Sequence, residues 1–261
     1  MRSAWLYLLF FLVPCVSFSQ QTITKDPTAM AIVQQSLVAM GGGQNFVDVQ
    51  AVGTTTAYGD SGAVTYPITL QATGTASIQS VISNPAGTRT HVTDGVNICA
   101  DSTLVELTPD ASAALALRRI DFVPALTILN DSADPNFEVS YVRADTLNGA
   151  AVDVIAIGLA PPGVVADTSQ TPQWFFFIDR ATSLVSKIQM TNTIPSASPQ
   201  GPTVEVVFSQ YQAVSGFAVP MDQATYVNGA LSQDLQLTSV AFNNGLDSSL
   251  FAMTCEVPSA Q

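Results

Sequence analysis

From about Val49 to the C-terminus the chain alternates apolar and polar residues with a period of two, and that period commits it to β-structure. Ile68, Leu70 and Ala72 alternate with Thr69, Gln71 and Thr73, and Ala76, Ile78 and Ile82 with Ser77, Gln79 and Ser83. Leu184, Ile188 and Met190 oppose Lys187 and Gln189, and Val204, Val206 and Phe208 repeat the pattern. Successive strand side chains point to opposite faces, so each run offers one face to a core and one to water. The dipeptides Asp94-Gly95, Asn148-Gly149 and Asn228-Gly229 separate the runs. Each suits a two-residue hairpin, because Asn, Asp and Gly tolerate positive φ. Asp179 to Thr182 reads as a further tight turn. About ten or eleven antiparallel strands are predicted, with sequence neighbours paired in the sheet.

Two segments depart from this period. Asp26 is a helix N-cap, Pro27 stands at the first helical position and Gly41-Gly42-Gly43 ends the run. Met30, Val33, Leu37 and Met40 form one apolar stripe between them. The glycines follow the helix, whereas a phosphate-binding loop must precede one, so they are a helix exit. The second segment is Pro109 to Leu129, with Ala113 to Leu117, then Phe122, Val123, Leu126, Ile128 and Leu129. Pro124 divides it into two short predicted helices. Its hydrophobicity demands burial, either as a cap on the open end of a curved sheet or as the second layer of the core.

Trp174-Phe175-Phe176-Phe177 is apolar on both faces, so this strand is expected to be buried on both sides. It is either a central core strand or the wall of a pocket. The pocket would use Trp174 and Phe176, or Phe175 and Phe177 on the other face. The loops at Pro161 to Pro172 and Pro195 to Pro202 read as solvent-exposed hairpin ends. Neither has a linker's composition, so residues 20–261 are expected to form one domain.

The N-terminus carries an export signature. Arg2 precedes an apolar run from Ala4 to Val16, and Ser17 and Ser19 supply the small residues before a cleavage point after Ser19. The run is shorter than the roughly 20 residues a spanning helix needs. Residues 1–19 are therefore expected to leave as a signal peptide, placing the rest in the periplasm or outside the cell, with no transmembrane segment. An acylated Cys15 would be the alternative, but Pro14 stands where a small residue is expected. Two cysteines then remain, Cys99 and Cys255, and an oxidising compartment favours a disulfide between them over two buried thiols.

The chain has a formal net charge of −12 with only 11% charged residues. Nucleic acid or an anionic lipid surface would be repelled. His91 is the single histidine, it lies in an alternating strand, and there is no Gly-x-Ser-x-Gly elbow. Triad, cysteine-nucleophile and zinc chemistries all lack partners. Asn130 to Asp134 lacks the central glycine and the distal glutamate of a calcium loop. A carboxylate hydrolase would need two acids converging in a cleft, and nothing in the spacing pairs them. No catalytic residue, metal or cofactor is assigned.

Three stretches resemble the bacterial periplasmic lipoprotein-carrier superfamily, the Lol-type carriers and their exported relatives. The N-terminal helix ending at Gly41-Gly42 and leading to Val49–Thr56 is similar to their helix-to-first-strand connection. Phe176 to Val185 resembles their strand–turn–strand. Tyr211 to Pro220, followed by Val240 to Phe251, resembles their closing hairpin and C-terminal turn. The resemblance implies an α+β, mostly β fold: an incomplete antiparallel barrel wrapped round the N-terminal helix and the mid-chain helical insertion. It also implies a non-catalytic protein that holds a lipid, acyl chain or lipidated peptide in an apolar cavity. Ile68, Leu70, Ile78, Leu117, Phe122, Leu126, Trp174 and Phe176 are the expected lining. None of the chain's arginines matches the carriers' cavity arginine. The other reading is an envelope interaction module that uses a sheet face or edge and takes no small ligand.

Overall fold

A computed structural model describes residues 25–41, 47–74, 77–93, 97–100, 103–106, 132–133, 137–159, 173–191 and 203–252. Helix α1 (Pro27–Ala39) forms where the capping residues place it. The Asp26 carboxylate accepts from the amides of Thr28 (2.7 Å) and Ala29 (3.3 Å), satisfying donors that have no partner inside the helix. The Thr28 amide in particular holds this carboxyl below its usual range. Ala29, Val33, Leu37 and Met40 are buried, so the predicted stripe faces the core, with Met30 packed at its margin.

Thirteen strands follow: β1 (Asp48–Gly59), β2 (Gly62–Thr73), β3 (Ser77–Asn84), β4 (Gly87–Thr93), β5 (Asn97–Ala100), β6 (Thr103–Glu106), β7 (Phe137–Leu147), β8 (Ala150–Leu159), β9 (Gln173–Asp179), β10 (Val185–Thr191), β11 (Thr203–Val214), β12 (Phe217–Val227) and β13 (Ala230–Phe242). The count among the described residues exceeds the ten or eleven expected. β5 and β6 are four residues each, too short to show an alternating period. Asn148-Gly149 and Asn228-Gly229 make the predicted hairpins with φ of 51°/86° and 51°/79°, and Ser215-Gly216 makes a third of the same kind (51°/86°). Asp94-Gly95, the segment Pro109 to Leu129 and the two proline-rich loops lie outside the described residues.

All strands belong to one antiparallel sheet in the order β6-β5-β4-β3-β2-β1-β13-β12-β11-β10-β9-β8-β7. Two meanders, β1–β6 and β7–β13, are therefore joined by a single long-range pairing, β1 with β13. The edge strands β6 and β7 do not pair with each other, which leaves the sheet an open, incomplete barrel with its gap between them. The β7 edge is partly occupied: Val139 bridges to Lys25, and its carbonyl accepts from the Asp26 amide at 2.8 Å. Farther along β7, a register shift between Tyr141 and Arg143 and the exposed Arg143–Asp145 pair (2.8 Å) blunt the edge against further strand addition.

A 3-10 turn at Ser248–Phe251 closes the described chain. It is anchored by Asp48, only 3% exposed, whose carboxylate accepts from the amides of Asn244 (2.7 Å), Gly245 (2.8 Å) and Leu246 (3.2 Å). The turn sits against β3, where Gln79 Nε2 donates to the Leu250 carbonyl at 2.8 Å.

The β1–β13 pairing shifts register between Val52 and Gly53, and Gly53 is buried there. A Cβ at Gly53 would collide with the Gln236 carbonyl oxygen and approach Leu237 Cα at 2.9 Å, both backbone atoms that cannot rotate away. Gly53→Ala is expected to lower stability by about 1–3 kcal/mol, the usual cost of overpacking. Urea denaturation followed by circular dichroism should show a lower midpoint with an unchanged slope.

Candidate functional site

One face of the sheet carries a continuous apolar cluster. From β8 to β11 it is built by Ile155, Ile157, Trp174, Phe176, Ile178, Ile188, Met190, Val206 and Phe208. From β12 and β13 it takes Phe217, Val219, Leu235, Leu237 and Phe242, with Phe217 stacked on Phe242 at 4.3 Å. Val49, Ala51, Ile68, Leu70 and Ala72 carry it across β1 and β2, and the half-buried Ile78 and Ile82 extend it onto β3. Helix α1 lies on this face. It begins at Val139 on β7 and reaches β12, where the Ala218 amide donates to the Met40 carbonyl at 3.3 Å. Gly41, with φ of +90°, lets the chain pass Gly216 at a distance that no Cβ would permit.

Five of the expected lining residues, Ile68, Leu70, Ile78, Trp174 and Phe176, are brought together in this one cluster. Leu117, Phe122 and Leu126 lie outside the described residues. Cys99 is buried on β5 in the row Gln79–Val92–Cys99, on the face opposite Ile78, and Cys255 lies outside the described residues.

Strand β9 is buried on both faces, as its composition demands. Trp174 (2% exposed) and Phe176 (0%) enter the main cluster. Phe177, with Val152 and Val154, forms a second buried cluster on the opposite face, flanked by Phe175 and Leu147. Lys187 Nζ lies 4.1 Å from the Phe177 ring centroid and donates to Glu205 at 2.8 Å. The aromatics thus serve both faces of the sheet.

Trp174 has one further property. Its ring sits between Ile157 on β8 and Met190 on β10, with the Phe137 ring 6.2 Å away. Among the described residues its buried Nε1–H is a side-chain donor with no hydrogen-bond partner. Leaving such a donor unpaired costs about 1–3 kcal/mol.

Polar groups enter the apolar face at defined points. Asp153 Oδ1 accepts from Tyr141 Oη (3.0 Å) and from Arg180 Nη2 (2.6 Å), and this pairing raises the Arg180 pKa. Asp153 is in phase with Ile155 and Ile157, so an acid at an inward position was the readable signal for this cluster. Arg180 is half exposed and engaged by Asp153, which makes it an ion-paired rim residue. Thr55, buried on β1, accepts from Gln233 Nε2 at 2.9 Å. Tyr211 donates to the Val185 carbonyl at 2.6 Å, and burial pushes its phenol pKa up. His91 is half-buried in β4, opposite Ser80 and Ala100.

Two carboxylates do converge, at Asp222 and Asp234, but on the face opposite the core, beside Ser209 and Gln236. Neighbouring strands present them side by side on an open sheet face. Ser209 Oγ donates to Asp222 at 2.7 Å and Gln236 Nε2 to Asp234 at 2.9 Å. No group of three or more potential metal ligands occurs among the described residues, and no described helix is long and apolar enough to cross a membrane.

Comparison with known proteins identifies the fold. No family model matches this chain, and no curated sequence does. Solved structures do. A domain from Vibrio parahaemolyticus named for outer membrane lipoprotein sorting superposes with a TM-score of 0.56 at 11% identity, covering 86% of this chain and 96% of that one. A LolA superfamily protein from Nitrosomonas europaea and a DUF1329 family protein from Desulfovibrio piger each give 0.56 at 11% identity, covering 86% of this chain and 97% of theirs. The chain has the fold of the LolA-type lipoprotein-sorting proteins, as the resemblance of its helix, turn and C-terminal hairpin implies.

Burial first, then the hydrogen bond and charge of Asp222, push the Asp234 pKa above its ordinary value of 3.8. A carboxyl whose pKa is raised on folding favours the folded state while protonated and loses that contribution as pH rises through the folded value. Asp234→Asn is therefore expected to unfold at a higher temperature than wild type at pH 7. The difference should shrink as pH falls below about 4, when the wild-type acid is protonated in both states. Thermal melts across that range measure it.

Proposed function

We propose that this is an exported, non-catalytic binding protein that holds a lipid, an acyl chain or a lipidated peptide in an apolar cavity on the inner face of its open barrel. The observation that carries the reading is the extent of that face. The ten adjacent strands from β3 to β7 that carry it, at their usual spacing, span roughly 43 Å. A thirteen-residue helix is about 20 Å long and can cover only part of it. The apolar segment Ala113 to Leu129 belongs to the connection between the two edge strands. Leu117, Phe122 and Leu126 would complete the lining from that side, opposite Ile68, Leu70, Ile78, Trp174 and Phe176. Each buried methylene of an acyl chain would contribute about 0.8 kcal/mol, so a modest cavity gives useful affinity. The likeness to lipoprotein-sorting folds supports the same reading, as does the export signature of residues 1–19. The net charge of −12 disfavours nucleic acid and anionic membrane surfaces as partners.

Native mass spectrometry of the exported protein, purified without detergent, tests it. A discrete adduct of lipid mass is expected. Trp174→Ser and Leu126→Ser should abolish it, and Ile78→Ser, at a half-buried position, should weaken it in a protein that still folds. A clean apo mass that persists after incubation with lipid extract would overturn the reading in favour of an envelope module that binds protein.

Cys99 and Cys255 are proposed to form a disulfide that ties the C-terminal tail to the β5 side of the sheet. Gln79 holds Leu250 on β3, and Gln79, Val92 and Cys99 stand in one row across β3, β4 and β5. Two strand spacings are about 10 Å, and five residues extend to about 17 Å. Thiol alkylation before and after reduction should reveal the bridge by mass. Cys255→Ser should then cost about 2–4 kcal/mol in chemical denaturation.

A further inference from the structure

We infer that the Trp174 indole N–H is the polar anchor of the apolar face and donates to the neutral carbonyl oxygen of an acylated ligand, an O-acyl ester or an N-acyl amide. This rests on the binding reading above and specifies the chemistry of its ligand. Trp174 is 2% exposed, and among the described residues Nε1 has no hydrogen-bond partner. Its neighbours in register, Ile157 and Met190, and the nearby Phe137 ring offer it no strong acceptor. A phenylalanine would fill much of the same apolar space without burying a donor, so the indole nitrogen is the feature that needs a partner.

The chemistry of the surroundings selects that partner. An indole N–H only donates, so the ligand must supply an acceptor. A charged carboxylate or phosphate would be buried against one neutral donor, which is costly without a counter-ion. The described cations on this part of the sheet are engaged elsewhere. Lys25, bridged to Val139 in the same row as Trp174, donates to the Ser132 carbonyl at 2.7 Å. Arg180 at the far end of β9 binds Asp153 at 2.6 Å, and Lys187 faces Glu205 and Phe177 on the other side of the sheet. A carbonyl carries no charge and is satisfied by one good donor, and it lies at the head of every esterified or amide-linked acyl chain. Ile157, Phe176 and Ile188 continue the apolar wall beyond Trp174 for the chain that follows such a carbonyl.

The experiment compares three probes of nearly equal length: methyl palmitate, N-methylpalmitamide and methyl hexadecyl ether, which lacks the carbonyl. Affinities are measured by native mass spectrometry and titration for wild type and Trp174→Phe. Of the two tryptophans, Trp5 lies in the segment expected to leave as the signal peptide, so the indole resonance of the exported protein in a nitrogen-15 spectrum is that of Trp174. Wild type is expected to bind ester and amide about tenfold more tightly than ether, a preference of about 1.4 kcal/mol. Trp174→Phe should bring all three to similar affinity. The Trp174 indole proton should move downfield with ester or amide and not with ether. This spectral test needs only wild type, so it stands even if the variant folds poorly. A tighter amide would point to an N-acylated peptide and a tighter ester to a glycerolipid; either supports the inference. Equal binding of all three probes, with an unmoved indole proton, would overturn it while leaving an apolar-ligand protein in place. Binding of none would overturn the inference and the binding reading together.

Discussion

The pairing of β1 with β13 is the contact on which the rest of the fold depends. It joins residues nearly the whole described chain apart, from Val49 opposite Phe242 to Ala57 opposite Gln233, and turns two local meanders into one sheet. Every other strand pair forms between sequence neighbours, at little loop-closure cost. Without this ladder β1 and β2 would carry Val49, Ala51, Ile68 and Leu70 away from Leu235, Leu237 and Phe242, and the apolar face would be cut in two. Asp48 and Asn243 reinforce the end of the ladder. Asp48 accepts three amides of the segment after β13, and Asn243 Oδ1 accepts from the Val47 amide at 2.8 Å. A buried carboxylate with that many backbone donors specifies where the C-terminal segment docks as well as how strongly.

The long, curved, apolar face follows from that closure. Its two edges, β6 and β7, are consecutive in sequence, and the opening lies between them. Helix α1 starts at the β7 side and ends against the β11–β12 turn. Its N-terminus is also tied by Lys25, whose Nζ donates to the Ser132 carbonyl at 2.7 Å. Polar groups penetrate where a strand end or a bulge allows, as at Asp153 with Tyr141 and Arg180. Trp174 stands apart from these, because its polar atom is buried among apolar neighbours.

Much of the fold was legible because its determinants are local. The cap at Asp26, the stripe from Met30 to Met40, the Asn-Gly hairpins and the alternation along Ile68–Ala72 each depend on a few consecutive residues. The aromatic run at Trp174 announced burial on both faces for the same reason. The shortest strands were not legible, since four residues carry no measurable period. Five of the expected lining residues share one cluster because alternation assigns a residue to a face even when its partner strand is unknown. The Asp48 contacts and the Asp222–Asp234 pair had no local signature: their partners are distant, or lie across a register that the sequence does not display.

The sequence by itself determined the longer strands, the Asn-Gly turns between them, which end of the helix is capped and that one strand must be buried on both faces. Those outcomes rest on backbone preference and on side-chain period, which act over a few residues. Only the tertiary structure decided that β1 meets β13, that the sheet stays open between β6 and β7, and that the Trp174 indole nitrogen ends in an apolar setting. These depend on register and long-range packing, where a shift of one residue would turn every side chain of a strand to the other face.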